Sequence, residues 1–237
     1  MTPRYADLTL ESGSPLKRFS HRARFAMAVD LLDPRADDRV LDYGTCDGAF
    51  LRWLWARCPE AALAGFEPDP NYLAEARRCL ADLCARPDLA GRADSFAGFR
   101  PTAITCLEVL EHLRVADQEK ALATMRGLLA PGGRVLVSVP IEIGPASLFK
   151  NLARIALGQA HPNTHVGTVL RAALGFTRGI ARGAEEAYIQ SHIGFDHRTL
   201  PPRFRAAGFR VRRRAVSPFP RLGTWCNSQF FYLLDAA

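Results

Sequence analysis

The sequence predicts an α/β fold, in which a seven-stranded and mostly parallel sheet carries helices on both faces. Short apolar runs alternate with longer segments whose apolar residues recur at helical spacing, which is typical of consecutive βαβ units. The run at residues 103–107 is apolar almost throughout, as expected for a strand at the centre of a sheet. Hydrophobic residues make up 48% of the 237 residues, so the chain can bury a substantial core.

The predicted elements follow in order along the chain. A helix is predicted over Ser20–Leu32, because its apolar residues recur at helical spacing and Pro34 follows them. Turn residues separate the later elements, as at Pro131-Gly132-Gly133. The predicted strands are Arg39–Tyr43, Ala62–Phe66, Arg92–Ser95, Ala103–Leu107, Arg134–Val139, Phe209–Arg214 and Gln229–Leu234, and the helices between them are Gly48–Arg57, Pro70–Ala85, Asp117–Leu129 and Leu200–Ala207.

The regular alternation stops after Pro140 and returns near residue 196. We therefore divide the chain into a core with an N-terminal helix at 1–140, a helical lid or insertion at 141–195, and the C-terminal part of the core sheet at 196–237. Helical segments are predicted in the insertion near Ser147–Leu157 and Val166–Ile180. Residues 143–184 contain no Asp or Glu but five Lys or Arg residues among apolar ones. This pattern fits either a lid with its arginines in water or a peripheral membrane contact through residues 147–182.

A glycine turn follows the first predicted strand. Residues 40–50 read V-L-D-Y-G-T-C-D-G-A-F, so Asp42 lies next to the end of the strand and Gly44 and Gly48 bound the turn. Backbone N–H groups and a carboxylate at the carboxyl end of a parallel strand are typical of a ligand site. The spacing G-x-x-x-G departs from the G-x-G-x-x-G that binds the pyrophosphate of a nicotinamide dinucleotide. The pyrophosphate of such a dinucleotide is therefore less well provided for.

These residues resemble motif I of the class I S-adenosylmethionine (SAM) methyltransferases, written D-x-G-x-G-x-G, with Cys46 at the position of the middle glycine. Three further segments, at 65–69, 104–113 and 129–136, resemble later motifs of that family in the same order. The resemblance implies a Rossmann-like fold, with Glu67 binding both ribose hydroxyls and Asp94 binding the adenine amino group. The SAM-binding residues that it implies are Asp42, Gly44, Thr45, Gly48, Glu67, Pro68, Asp94, Leu107 and Glu108.

A second group of polar residues follows strand four. Glu108, Glu111 and His112 stand at i, i+3 and i+4, so a helical turn there would place all three on one face. Carboxylates and imidazoles bind Mg²⁺, Mn²⁺ or Zn²⁺, with His192 or His197 as the fourth ligand. The pattern is similar to that of ubiquinone-pathway O-methyltransferases and of small-RNA 3′-terminal 2′-O-methyltransferases. Without a metal, the catalytic residues would be His112 or His197 as general base, with Glu108 beside the methionine part of SAM.

The sequence thus predicts a cytoplasmic, SAM-dependent methyltransferase acting on an oxygen, or less readily a nitrogen, of a small-molecule or lipid-linked acceptor. The acceptor and the basic insertion together suggest peripheral contact with the inner membrane face. A metal-dependent RNA 2′-O-methyltransferase remains open, since the net charge of +7 suits anionic partners. A non-catalytic SAM-binding homologue also remains open because of Cys46. Six cysteines without a Cys-x-x-Cys pair are typical of reduced thiols.

Overall fold

The computed structural model describes residues 15–144, 147–148, 151, 166–177, 180, 189 and 192–237. These residues form the predicted α/β fold, with seven strands and six helices in the described part of the chain. The strands are β1 (Arg39–Tyr43), β2 (Ala62–Phe66), β3 (Asp88–Ala90), β4 (Ala103–Leu107), β5 (Arg134–Pro140), β6 (Phe209–Ser217) and β7 (Gln229–Ala236). The helices are α1 (Pro15–Leu32), α2 (Ala49–Arg57), α3 (Pro70–Cys79), α4 (Val115–Leu128), α5 (Val166–Ala173) and α6 (Leu200–Ala206).

The sheet has the strand order β3-β2-β1-β4-β5-β7-β6. β7 is antiparallel to both β5 and β6, and the other neighbouring strands are parallel. The carboxyl ends of β1, β2, β4 and β5 therefore meet at one edge of the sheet, which we call the ligand edge. The β6–β7 loop returns to this edge, because Gln229 at the start of β7 pairs with Pro140 at the end of β5. The strand order changes direction between β1 and β4, where open α/β sheets bind ligands.

Two apolar layers cover the faces of the sheet. One layer contains Phe25 and Leu32 of α1 together with Leu51 and Leu54 of α2. The other contains Leu122 of α4, with Phe204 of α6 and buried residues of β4 and β5. Both faces of the central strands are thus removed from water, which explains their continuous apolar runs.

The opposite, amino edge of the sheet is held by a polar network around Arg134. Its guanidinium donates to the Leu32 carbonyl at 2.7 Å, to the Asp33 carbonyl at 3.0 Å and to Asp38 Oδ2 at 2.7 Å. The hydroxyl of Thr102 donates to Asp38 Oδ1 at 2.7 Å. Burial alone would raise the pKa of Asp38, but the bonds from Arg134 and Thr102 outweigh it and lower that pKa.

Several predicted boundaries need correction, and the third strand was placed wrongly. The strand is Asp88–Ala90, while most of the segment predicted as Arg92–Ser95 belongs to the 3₁₀ turn Ala93–Phe96. α1 begins at Pro15 rather than at residue 20, and α3 ends at Cys79 rather than near residue 85. α5 ends at Ala173, because Gly175 has a φ of +79° and stops the helix.

The insertion is described only in part. Ser147, Leu148 and Asn151 are helical, and the Asn151 amide donates to the Ser147 carbonyl at 2.9 Å. Most of the predicted helix Ser147–Leu157 lies outside the described residues. The division of the chain at 140 and 195 remains a prediction.

Candidate functional site

The turn after β1 is built from three left-handed residues. Gly44, Cys46 and Gly48 have φ values of +86°, +52° and +80°. A Cβ on Gly44 would lie 2.5 Å from Cγ2 of Val109, so both the conformation and the space exclude a side chain there. Cys46 accepts its conformation at a cost of roughly 1 kcal/mol, and its N–H donates to Glu67 Oε2 at 2.8 Å. The turn therefore closes although Cys46 replaces a glycine.

Three buried carboxylates surround this turn. Asp42 accepts a 2.6 Å bond from the Thr105 hydroxyl, and burial, with a smaller contribution from the charge of Glu67, raises the pKa of Asp42 to about 6. Glu67 accepts from the N–H groups of Cys46 and Asp69, and burial raises the pKa of Glu67 above its usual value. Asp47 is also buried and caps α2 through the Ala49 N–H at 3.2 Å. Such clustered acids favour a cationic ligand.

The residues around the turn fit the SAM molecule that the motif resemblance implies. Each oxygen of Glu67 accepts one backbone bond and keeps a lone pair for a ribose hydroxyl. The negative charges of Asp42 and Glu67 complement a sulfonium and an ammonium group. Because Gly44 has no Cβ, the backbone of the turn can pass close to Val109 without a collision.

The other predicted cofactor residues lie in different surroundings. Thr45 is buried in the turn and Gly48 at the start of α2, whereas Pro68 is exposed after β2 and Leu107 is half-buried at the end of β4. Asp94 is exposed in a 3₁₀ turn, where Arg92 donates to it at 2.6 Å and lowers the pKa of its carboxyl group. Contact of Asp94 with adenine therefore stays a prediction.

Glu108 does not share a helical face with Glu111 and His112, contrary to the expectation from spacing. Its φ of +57° turns the backbone, and the following 3₁₀ turn covers only Leu110–His112. The Glu108 carboxylate accepts a 3.0 Å bond from the Gln229 side chain and lies 3.6 Å from Nη1 of Arg24.

Arg24 is a site residue that the sequence did not reveal. It is buried, although it stands beside Phe25 on the apolar side of α1. An arginine among the apolar positions of an amphipathic helix was the available signal, because a buried charge needs a partner.

Glu111, His112 and His192 form a compact group beyond Glu108. One ligand atom of each lies within 4.8 Å of the others, and Glu111 is fully buried. Nδ1 of His112 lies 2.8 Å from the Ile189 carbonyl, so this nitrogen is the donor and Nε2 carries the lone pair in the neutral ring. Nε2 lies 3.9 Å from Glu111 Oε1. Nε2 of His112 could therefore bind a metal ion, or accept a proton from an acceptor hydroxyl.

Glu142 extends this group from the end of β5. Its buried carboxylate lies 3.8 Å from Nδ1 of His192, whose ring meets that of His112 edge-on at 4.7 Å. The sequence prediction did not include Glu142, because no local motif contains it.

His197 lies apart from this group within the described residues. Its ring stacks on Phe230 with centroids 4.5 Å apart, and its carbonyl accepts a bond from the Tyr232 hydroxyl. Burial lowers the pKa of His197 to about 4, so its imidazole is neutral and weakly basic near pH 7. Of the two histidines considered as fourth ligand, the structure brings His192 to Glu111 and His112.

No helix in the described ranges combines the length and the apolar character needed to cross a bilayer.

The chain is similar to known proteins. A family model described as a methyltransferase domain matches residues 16–213. A demethylmenaquinone methyltransferase of Thermus thermophilus is 35% identical over an alignment of 124 residues, which covers 46% of this chain and half of that relative's length.

Solved structures share the fold. The magnesium protoporphyrin IX methyltransferase of Synechocystis PCC 6803, with bound S-adenosylhomocysteine (SAH), has a TM-score of 0.60 at 12% identity, over 95% of this chain and 89% of that one. The N-methyltransferase NodS of Bradyrhizobium japonicum, also with bound SAH, has a TM-score of 0.57 at 15% identity, over 97% and 95%. At these identities the similarity is one of fold.

Proposed function

The chain belongs to the methyltransferase-domain family as a class I SAM-dependent methyltransferase, and from this premise we propose that it methylates an oxygen of an acceptor with two adjacent oxygens. The acceptor is a small molecule or is lipid-linked. The observation that carries the proposal is the group of Glu111, His112 and His192 at the ligand edge.

The SAM-binding part of the proposal rests on the acidic turn. When bound, SAM supplies an electrophilic methyl group on a sulfonium centre. The negative charge of Asp42 stabilises this cation. Glu67 accepts hydrogen bonds from the ribose hydroxyls, because each of its oxygens keeps a lone pair after the bond from Cys46 or Asp69. The Arg24–Glu108 pair is a second charged element at the same edge and orients the end of β4.

The acceptor part rests on the chemistry of the imidazole and carboxylate group. Two histidines and a carboxylate suit a divalent cation, which would lower the pKa of an acceptor hydroxyl. The Ile189 carbonyl fixes the His112 ring, and Glu142 lies where it can orient His192. An acceptor with two adjacent oxygens could bind such an ion through both. The similarity to a demethylmenaquinone methyltransferase supports a quinone-type acceptor, whereas the choice of oxygen and of two adjacent oxygens rests on the group of Glu111, His112 and His192.

The other candidate functions have less support. An RNA substrate would need a basic surface, and the basic run Arg210–Arg214 lies on β6, where Arg212 and Arg210 approach Asp235 at 3.3 and 3.9 Å. A non-catalytic role was suggested by Cys46, but the turn closes with Cys46 in place. We therefore favour a catalytic role on a small or lipid-linked acceptor.

Metal analysis and a methyl-transfer assay test the proposal. We expect the purified protein to bind one Mn²⁺ or Zn²⁺, and to methylate an oxygen of catechol at least about tenfold faster than the hydroxyl of phenol. Chelation should abolish the transfer, and added metal should restore it.

Variants at the site provide the control. His112→Asn and His192→Asn should lose the ion and keep SAM affinity, whereas the matched variant His197→Asn should keep both. Full activity after exhaustive chelation, or unchanged metal content in His112→Asn, would contradict the metal site. A product methylated on nitrogen would contradict the choice of acceptor atom.

A further inference from the structure

An exposed apolar surface lies at the ligand edge, outside the methyl-transfer site. In the β6–β7 loop, Phe219, Leu222 and Trp225 are exposed, and Trp225 keeps 68% of its accessible surface. Phe19 near the start of α1 is also exposed, and its ring centroid lies 6.0 Å from that of Phe219. We call these four residues the tip patch. Large apolar side chains grouped in this way on a surface indicate an interaction site.

The loop that carries the tip patch has a defined shape. Asn227 is buried, and its side-chain amide donates to the carbonyls of Phe219 and Gly223 and accepts from the Phe219 N–H. The Leu222 N–H donates to the Phe219 carbonyl at 3.0 Å. The hydroxyl groups of Ser20 and Ser228 lie 3.3 Å apart, which connects α1 with the loop. These bonds fix the shape of the loop, and in this shape the apolar side chains are exposed to solvent.

Basic residues surround the tip patch. Arg18 and Arg22 lie beside Phe19, whereas Arg24 is buried near Glu108; neither residues 15–29 nor the loop at 217–228, which contains Arg221, includes an acidic residue. Arg22 and Arg221 are exposed. A groove of about 430 Å³ adjoins Phe19 and is lined by Arg18, Arg22 and Trp53. An apolar surface with a positive rim complements an anionic one.

We propose that the tip patch docks on an anionic lipid membrane. Tryptophan and phenylalanine side chains favour the interfacial region of a bilayer, and arginines favour anionic headgroups. A second copy of the chain is the poorer occupant, because symmetric pairing would bring arginines of like charge together. The tip patch shares no residue with the segment 147–182, for which a membrane contact was predicted. The proposal is independent of the acceptor, although docking would hold the ligand edge against the bilayer, where lipid-linked acceptors lie.

Co-sedimentation of the intact protein with vesicles tests the proposal. We expect binding to vesicles with 30% phosphatidylglycerol, little binding to pure phosphatidylcholine, and weaker binding at 300 mM than at 50 mM salt. The triple variant Phe219→Ser/Leu222→Ser/Trp225→Ser should lower the partition coefficient at least about tenfold. Arg22→Ser and Arg221→Ser should each lower it about fivefold. SAM affinity and melting temperature should stay unchanged in variants that fold.

A comparison variant and a fluorescence measurement separate the alternatives. Leu170→Ser/Leu174→Ser/Phe176→Ser, the α5 variant, removes three exposed apolar side chains from α5 and the turn that follows it, and should keep the partition coefficient within about twofold. Brominated lipids should quench tryptophan fluorescence in the native protein and much less in Trp225→Phe. The proposal is overturned if the α5 variant alone loses binding, if the tip patch instead controls dimerisation, or if the protein binds single-stranded RNA but no vesicles.

Discussion

The raised pKa of Asp42 leads to a quantitative prediction for SAM binding. Burial raises this pKa from 3.8 to about 6, so Asp42 is roughly 90% protonated at pH 5 and roughly 10% protonated at pH 7. A cationic ligand beside the carboxylate favours its ionised form. The affinity for SAM should therefore fall about tenfold from pH 7 to pH 5, which corresponds to about 1.4 kcal/mol.

Calorimetric titration with SAM at pH 5, 6 and 7 measures this effect. Asp42→Asn is the matched variant, because the amide oxygen can still accept the bond from Thr105. We expect weaker binding than in the native protein at pH 7, and loss of the part of the pH slope due to Asp42. SAH, which lacks the sulfonium charge, should show a smaller slope if Asp42 acts on the sulfonium. Any slope that remains in Asp42→Asn comes from groups other than Asp42.

The same group affects stability with a defined sign. Since the folded-state pKa of Asp42 lies above the unfolded value, its contribution favours folding below pH 3.8 and is lost as the pH rises through about 6. Asp42→Asn should therefore stabilise the ligand-free protein at pH 7 and have little effect at pH 4. A native affinity that does not change between pH 5 and 7, or an equal slope in Asp42→Asn, would refute this reasoning.

Three further predictions concern the turn and the amino edge. Gly44→Ala should weaken SAM binding at least about tenfold by calorimetry, because the added Cβ meets Val109; native affinity would contradict the close approach. Cys46→Gly should keep SAM affinity within about twofold and keep or raise the melting temperature, since glycine accepts the left-handed conformation; lost binding would show that the thiol is needed. Arg134→Met should lower the free energy of unfolding by about 3 kcal/mol in urea at pH 7. Stability from the lowered pKa of Asp38 is lost as the pH falls through that pKa, and Arg134→Met should reduce this acid dependence; an unchanged acid profile would contradict it.

The central strands could be predicted because their signals are local. β1, β2 and β4 have the predicted bounds, since each is a short apolar run that is buried in the sheet. β3 has three residues, pairs only with β2 and is partly exposed, so its sequence carries little apolar signal. Its true position depends on pairing with β2, which no local pattern describes.

The residues of the candidate site also differ in how well local sequence patterns predict them. Asp42 and Glu67 were found because each lies at the carboxyl end of a strand within a recognisable motif. The left-handed conformation of Glu108 has no clear sequence signal, and it separates this residue from Glu111. His192 and Glu142 reach the site from distant segments, and spacing alone could not distinguish His192 from the nearby His197.

The network around Arg134 has a consequence for the motions of the sheet. One guanidinium joins the end of α1, the residue before β1 and the first residue of β5, so the amino edge cannot open without breaking several buried bonds at once. The amides of β1, β4 and β5 near this edge should therefore exchange hydrogen only through global unfolding, while those of residues 44–48 exchange through smaller openings. The Arg134 network thus holds the amino edge of the sheet, and we expect changes of conformation on ligand binding to be confined to the ligand edge.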